Sequence, residues 1–353
     1  MPIGSSPGTR RFFEMLRRAA MKGVLVTRNK LAGVIAGLLA AGLTITGCSQ
    51  TETTSSSSAT STQAAEAATV TVDTDNGPVE APVNPESVVA LDNRTFETLY
   101  DWGVKLKAAP RELMPETIGY KHDESIVDIG NHREPNLEAI VAAEPDVIIQ
   151  GQRFAKYADD IKDLAGDTPF IDLNVRDGQP LDQELKRQRT QLGKIFNKNK
   201  EAEELNNKLD DAVAKAKEAY NPEEKVLAVN VSGGKIGFIA PEKGRAIGPL
   251  YPILGLTPAM EIENSSTNHK GDEVSVEAIA QSNPQWILVL DRDAATNDAA
   301  ASTPAKEVIE NSEALKNVDA VKNGKVIYMP ADTYTNESIQ TYIEFLNELA
   351  AKF

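Results

Sequence analysis

The sequence predicts an α/β protein built as two similar lobes, each with a central, mainly parallel sheet flanked by helices, the two joined by one long helix. Three observations predict it. Short apolar runs alternate with helix-length segments on both sides of a stretch that reads as almost continuously helical, Leu181 to Tyr220. A block of sequence recurs at a fixed separation of 139 positions. The length of 353 residues suits about two hydrophobic cores rather than one.

The chain begins with a basic segment. Residues 1–47 carry seven Lys/Arg against the single acid Glu14, whereas the whole chain has a net charge of −15, so the remainder carries −21. An apolar run, Leu31 to Leu43, comes after the basic residues; it is shorter than the ~20 residues that cross a bilayer, as a secretory signal would be. Met21 opens a signal of conventional length and stands as an alternative start. The run ends in Ile45-Thr46-Gly47-Cys48, which resembles a bacterial lipobox, with Cys48 as the lipidated first residue of the mature protein. Cys48 is the only cysteine, which rules out a disulfide framework and any CxxC zinc site. Residues 48–67, rich in Ser, Thr and Ala, read as an anchored, disordered tether.

The folded part starts at residue 68. Thr69 to Val72 and Val79 to Val83 flank an Asp-Asn-Gly turn and read as a hairpin. Strands are expected at Val88–Leu91, Leu106–Ala109, Val147–Ile149 and Phe170–Leu173, completing an N-terminal lobe over 68–198. Gly193 and Asn197 are expected to break the helical stretch. A linking helix over 199–220 comes next, about 20 residues and ~30 Å long. The alternation then restarts in a C-terminal lobe, 221–353, with strands at Val226–Val231, Ile236–Ala240, Trp286–Leu290 and Val326–Met329. Ile339, Ile343, Leu346 and Ala350 give the last helix an apolar core face.

The repeat ties the lobes to a site. Leu137-Glu138-Ala139-Ile140, Pro145, Ile148 and Arg153 recur as Val276-Glu277-Ala278-Ile279, Pro284, Ile287 and Arg292. In each copy a helix leads into a buried strand whose exit carries the arginine. Ligands of open α/β sheets lie outside the carboxyl ends of the strands, so Arg153 and Arg292 are placed to grip one anion from two sides.

With these features, residues 69–353 resemble the lipid-anchored substrate-binding proteins of iron–siderophore ABC importers, a two-lobed periplasmic-binding-protein class with a single linking helix. The resemblance rests on Val88-Val89-Ala90-Leu91-Asp92 after Asn84-Pro85, on Glu134-Pro135-Asn136-Leu137-Glu138-Ala139-Ile140, on Leu192-Gly193-Lys194-Ile195-Phe196 and on Val289-Leu290-Asp291-Arg292. It is strongest to the ferric catecholate branch, and it implies a pocket of three arginines, Arg153, Arg245 and Arg292. A ferric tris-catecholate is a trianion, and guanidinium forks donate to its oxygens without competing for the metal. The resemblance also matches His269 and Tyr334 to residues that ligate siderophore-bound iron, although the spacing around both departs from the family pattern; a solvated loop histidine is the other reading of His269. Glu138 and Glu277 match the permease-docking glutamates, and as first-turn acids they also complement their helix dipoles.

The resulting expectation is a non-enzymatic, exported receptor, lipid-anchored at the outer face of the cell membrane or on the periplasmic side of a two-membrane envelope. It would be a monomer that captures a ferric siderophore, delivers it to an ABC permease and carries no cofactor of its own. A chain this acidic lacks the clustered positive charge that nucleic-acid binding requires. The sequence has no GxSxG elbow, HExxH or P-loop. Two alternatives stay open: a two-lobed receptor for haem or a corrinoid, which aromatic residues at only 5% disfavour, and a metal-ion receptor or metalloenzyme, which three widely spaced histidines disfavour.

Overall fold

The computed structural model describes residues 68–296 and 302–353. The signal segment, Cys48 and the tether to residue 67 lie outside the described residues. The first two strands, β1 (Thr69–Thr74) and β2 (Gly77–Pro82), form the expected hairpin. Beyond it, β3 (Val88–Ala90), β4 (Ala108–Ala109) and β5 (Val127–Asp128) enter a sheet. A small antiparallel pair, β6 (Gly130–Asn131) and β7 (Glu134–Pro135), stands apart from it. The sheet is completed by β8 (Val147–Gln150) and β9 (Phe170–Asp172), in the order β5-β4-β3-β8-β9 with every pair parallel. Every residue of β3 and β8 is buried, as a parallel sheet covered on both faces requires.

The second sheet holds β10 (Lys225–Ser232), β11 (Lys235–Phe238), β12 (Thr257–Pro258), β13 (Trp286–Asp291) and β14 (Val326–Tyr328). Its order is β11-β10-β13-β14, with the short β12 beside the start of β10. The strand expected at Ile236–Ala240 is present as β11, but it does not continue the βα alternation. Gly233 and Gly234, both at positive φ, close a tight hairpin, and a two-residue turn can only return the chain antiparallel.

The helical stretch divides into Leu181–Ile195 and Asn199–Ala219. Asn197, at φ 52°, makes the break; Gly193 does not. It lies within the first helix, where a Cβ would come 2.9 Å from Ala202 Cβ and 3.1 Å from the Lys198 carbonyl oxygen, so the hydrogen side chain lets the two helices close their corner. The first helix serves both cores: Leu181 and Leu185 pack with the β10–β13–β14 residues, Leu192 and Ile195 with those of β3 and β8. The second helix buries Leu209, Ala212 and Ala216 against the C-terminal helix, Ile339–Lys352.

Gly193→Leu forces this corner apart and is expected to destabilise the protein by about 1–3 kcal/mol, the usual cost of overpacking. Chemical denaturation, compared with Ala214→Leu on the exposed face of the helix Asn199–Ala219, checks it.

Candidate functional site

The repeated block folds as a repeated structure. Asn136 caps the helix Leu137–Ala142 by accepting from Ala139 N at 3.0 Å, and Ser275 caps Val276–Ser282 by accepting from Ala278 N at 3.1 Å. Each helix leads into a strand, β8 or β13, that is buried except at Asp291, and each strand delivers an arginine at its exit. At β8 the delivery depends on Gly151: a Cβ there would fall 2.4 Å from Asp92 Cα, so only glycine lets the chain pass β3 before turning into Gln152 and Arg153.

Three of the arginines meet around one aromatic ring. The guanidinium carbons of Arg245, Arg292 and Arg153 lie 4.4, 4.8 and 5.4 Å from the centroid of the Tyr334 ring. Each distance is within the range of a cation–π contact. The Tyr334 carbonyl accepts from Arg153 Nη2 at 2.7 Å and from Arg245 Nη2 at 3.2 Å. Arg292 donates through Nη1 to Ser232 Oγ at 3.2 Å and lies 3.3 Å from Asp293. The Nε atoms of Arg153 and Arg292 are buried without a partner. The structure thus brings together Arg153, Arg245, Arg292 and Tyr334, four of the residues singled out from the sequence.

His269 lies on the exposed loop before the helix Val276–Ser282, and its carbonyl accepts from Asn230 Nδ2 at 3.2 Å. Partial desolvation, then Arg292 and Arg245, lowers its pKa and so favours the neutral imidazole. His132, in the turn between β6 and β7, responds to the same field. Desolvation and Arg153, Arg133 and Arg245 lower its pKa, and its Nδ1 is buried without a partner. The third histidine, His122, pairs with Glu116 at the surface. Glu138 and Glu277 are both exposed in the first turns of the two matched helices. Among the described residues, no group of three or more His, Cys, Asp or Glu side chains is placed to hold a metal ion.

Two charged residues that sequence reasoning missed complete the cluster. Arg94, just after β3, and Arg245 share the carboxylate of Glu337, Arg94 Nη2 at 3.2 Å and Arg245 through Nε. Burial alone would lower the Arg245 pKa, but Glu337 outweighs it and raises the value. On Arg153 burial wins, aided by Arg245, and the value falls. Arg94 stands at a strand exit, the same signal that singles out Arg153. A cavity of about 1160 Å³ lies elsewhere: its lining includes residues 232–237, Asn268 and residues 270–276, and it shares Ser232 with the surroundings of Arg292. The cluster's uncompensated charge marks the candidate site better than that cavity's size does.

With this geometry in place, comparison with known proteins decides the family. The sequence profile of the periplasmic binding protein family matches residues 88–333. The chain belongs to that family. It is 30% identical over 264 residues to the petrobactin-binding protein YclQ of Bacillus subtilis, covering 74% of this chain and 79% of the relative. It is also 30% identical over 260 residues to the ferric-anguibactin-binding protein FatB of Vibrio anguillarum, covering 71% of this chain and 76% of that one. The solved structure of the siderophore-binding protein BauB, bound to ferric iron and two molecules of acinetobactin, superposes with a TM-score of 0.69 at 26% identity, over 81% of this chain and 98% of BauB. The catecholate-siderophore binding protein VctP of Vibrio cholerae, at 22% identity and a TM-score of 0.70, shares the fold. No helix among the described residues is long and apolar enough to cross a membrane.

The Glu337 carboxyl gives the site a pH signature. Burial raises its pKa, but Arg245 and Arg94 outweigh burial and hold it at about 2, against an ordinary value of 4.5. A carboxyl lowered in the folded state stabilises the protein above its unfolded pKa, and that contribution is lost as pH falls through the folded value. The stability difference between the parent and Glu337→Gln, measured by denaturation, should therefore be constant above about pH 5 and shrink between pH 4.5 and about 2.

Proposed function

We propose that the protein captures a ferric siderophore of the catecholate type outside the cytoplasm and delivers it to an ABC permease for iron uptake. The observation that carries this reading is the convergence of Arg153, Arg245 and Arg292 on one ring within 5.4 Å. Guanidinium groups are strong, fixed donors that stay charged and do not bind ferric iron, so they recognise the oxygens of an anionic complex and leave its metal coordination intact. Capture of this kind asks for no catalytic base and no resident cofactor. The names of the relatives, binders of petrobactin and ferric anguibactin, point to the same class of ligand.

The remaining residues take supporting roles in this reading. For a siderophore that leaves iron positions open, the His269 imidazole and the Tyr334 phenol are the donors at hand. Glu138 and Glu277, exposed and equivalent in the two halves, meet basic residues of the permease. Cys48 carries the lipid that tethers a monomeric receptor through residues 48–67 to the outer face of the membrane, where double acylation gives stable anchoring. The lobes span 68–198 and 221–353, with 199–220 between them.

Titration of the purified full-length protein with a ferric tris-catecholate, followed by fluorescence, tests the pocket. Arg153→Ala, Arg245→Ala and Arg292→Ala should each weaken binding by about tenfold or more, as expected for hydrogen bonds to charged groups. Unchanged affinity in all three variants contradicts the assignment. His269→Ala should weaken binding of a ferric bis-catecholate and leave the tris-catecholate unaffected; equal effects on both would remove His269 as an iron donor.

A further inference from the structure

Glu337 occupies an unusual position for an acid. It is 1% exposed, and it sits at φ 47° in the corner between the short helix Thr333–Asn336 and the C-terminal helix. The left-handed conformation is unfavourable for a residue with a Cβ, so surrounding contacts must hold it there. Three donors from three separate segments supply them. Arg94 Nη2, after β3, lies 3.2 Å from Oε2, and Gln152 Nε2, after β8, donates to the same oxygen at 3.0 Å. Arg245 Nε, from the loop after β11, donates to Oε1. One carboxylate thus joins both sheets.

The choice of atoms is informative. Arg245 gives its Nε edge to Glu337 and one Nη2 hydrogen to the Tyr334 carbonyl, so both of its protein hydrogen bonds among the described residues spare Nη1. Gln152 is the neighbour of Arg153 in sequence, so its bond to Glu337 also fixes the turn that carries Arg153. The flanking residues complete a seam. Asn336 Nδ2 donates to Glu97 at 2.9 Å, the Asn336 carbonyl accepts from Asn93 Nδ2 at 3.3 Å, and Gln340 Oε1 accepts from Thr98 Oγ1 at 2.9 Å.

We propose that Glu337 is a positioning residue for ligand capture: a built-in counter-anion that ties the two halves together at the site, absorbs the charge of Arg94 and holds Arg245 with its outer edge toward the ligand. The proposal rests on the reading of the arginine cluster as the ligand site. A double-mutant cycle on the affinity of the full-length protein for a synthetic ferric tris-catecholate tests it. Glu337→Gln, which keeps shape and loses charge, adds net positive charge that by itself favours a trianion. It is nevertheless expected to weaken binding about tenfold in the parent, because the loss of the Arg245 orientation outweighs that gain, and not to weaken it in an Arg245→Ala background, because the weakening passes through Arg245. A residue that only stabilises the fold would lower the melting temperature and act equally in both backgrounds.

Equal or tighter binding by Glu337→Gln, with Arg245→Ala still weakened, overturns the proposal and leaves the binding-site reading standing. Loss of effect in Arg245→Ala itself overturns both. Should Glu337→Gln fail to fold, Glu337→Asp, which keeps the charge and shortens its reach, is carried through the same cycle. It is expected to weaken binding only where Arg245 is present, and additive effects overturn the proposal.

Discussion

The structure of the site is governed by mutual repulsion among guanidinium groups. Arg153, Arg245 and Arg292 all lie within 5.4 Å of one ring centroid, so no two guanidinium carbons are more than ~10 Å apart. At an effective dielectric of about 20, each pair repels by roughly 2 kcal/mol. The Tyr334 ring returns about 0.5–1 kcal/mol per cation at a partly exposed site, which is not enough. With Arg94 included, four guanidinium groups form ion pairs with only two carboxylates, Glu337 and Asp293, and Arg153 pairs with neither; buried Asp92 beside Arg94 offsets part of the positive excess. An anion with several acceptor oxygens relieves that excess; a neutral or cationic ligand does not.

The rest of the fold keeps the charges in place against this repulsion. Parallel strands covered on both faces give rigid exits, so the direction of Arg153 and Arg292 is set by backbone rather than by loop preference. Gly151 admits the β8 exit past Asp92, and Gly193 closes the corner between the helices that bind the two cores. The segment from Asp332 to Gln340 then reaches across, with Thr117, Glu97, Asn93, Thr98, Arg94 and Gln152 as its partners. The halves are therefore coupled twice, through the helices and through this seam beside the arginine cluster. A net charge of −15 on the whole chain is compatible with an anionic ligand, because screening over ~8 Å leaves the local field of the cluster in control.

Much of this is legible in the sequence where the physics is periodic or repeated. Alternating apolar runs predict the two sheets, and the repeat puts Arg153 and Arg292 at equivalent strand exits. Arg245 lies in a loop and Tyr334 in a four-residue helix, both too short to show a period of their own, and only the resemblance to a family brings them forward. Arg94 is within reach of the strand-exit argument, since Asp92-Asn93-Arg94 comes after β3 as Gly151-Gln152-Arg153 comes after β8. Glu337 and His132 are not: one sits in a left-handed corner, the other in a turn between two-residue strands, and neither leaves a local pattern. Gly193 reads as a helix breaker because glycine usually weakens helices, and here the close approach of Ala202 outweighs that tendency.

The central claim is that uncompensated guanidinium charge selects the ligand, and the most direct measurement is affinity as a function of ligand charge. Equilibrium titration of the purified protein with a trianionic ferric tris-catecholate, a neutral ferric tris-hydroxamate of similar size, and haem separates the cases. The account predicts that the tris-catecholate binds at least about 100-fold tighter than the neutral complex, with the gap narrowing as salt is raised. Equal or tighter binding of the hydroxamate or of haem at low salt would contradict it.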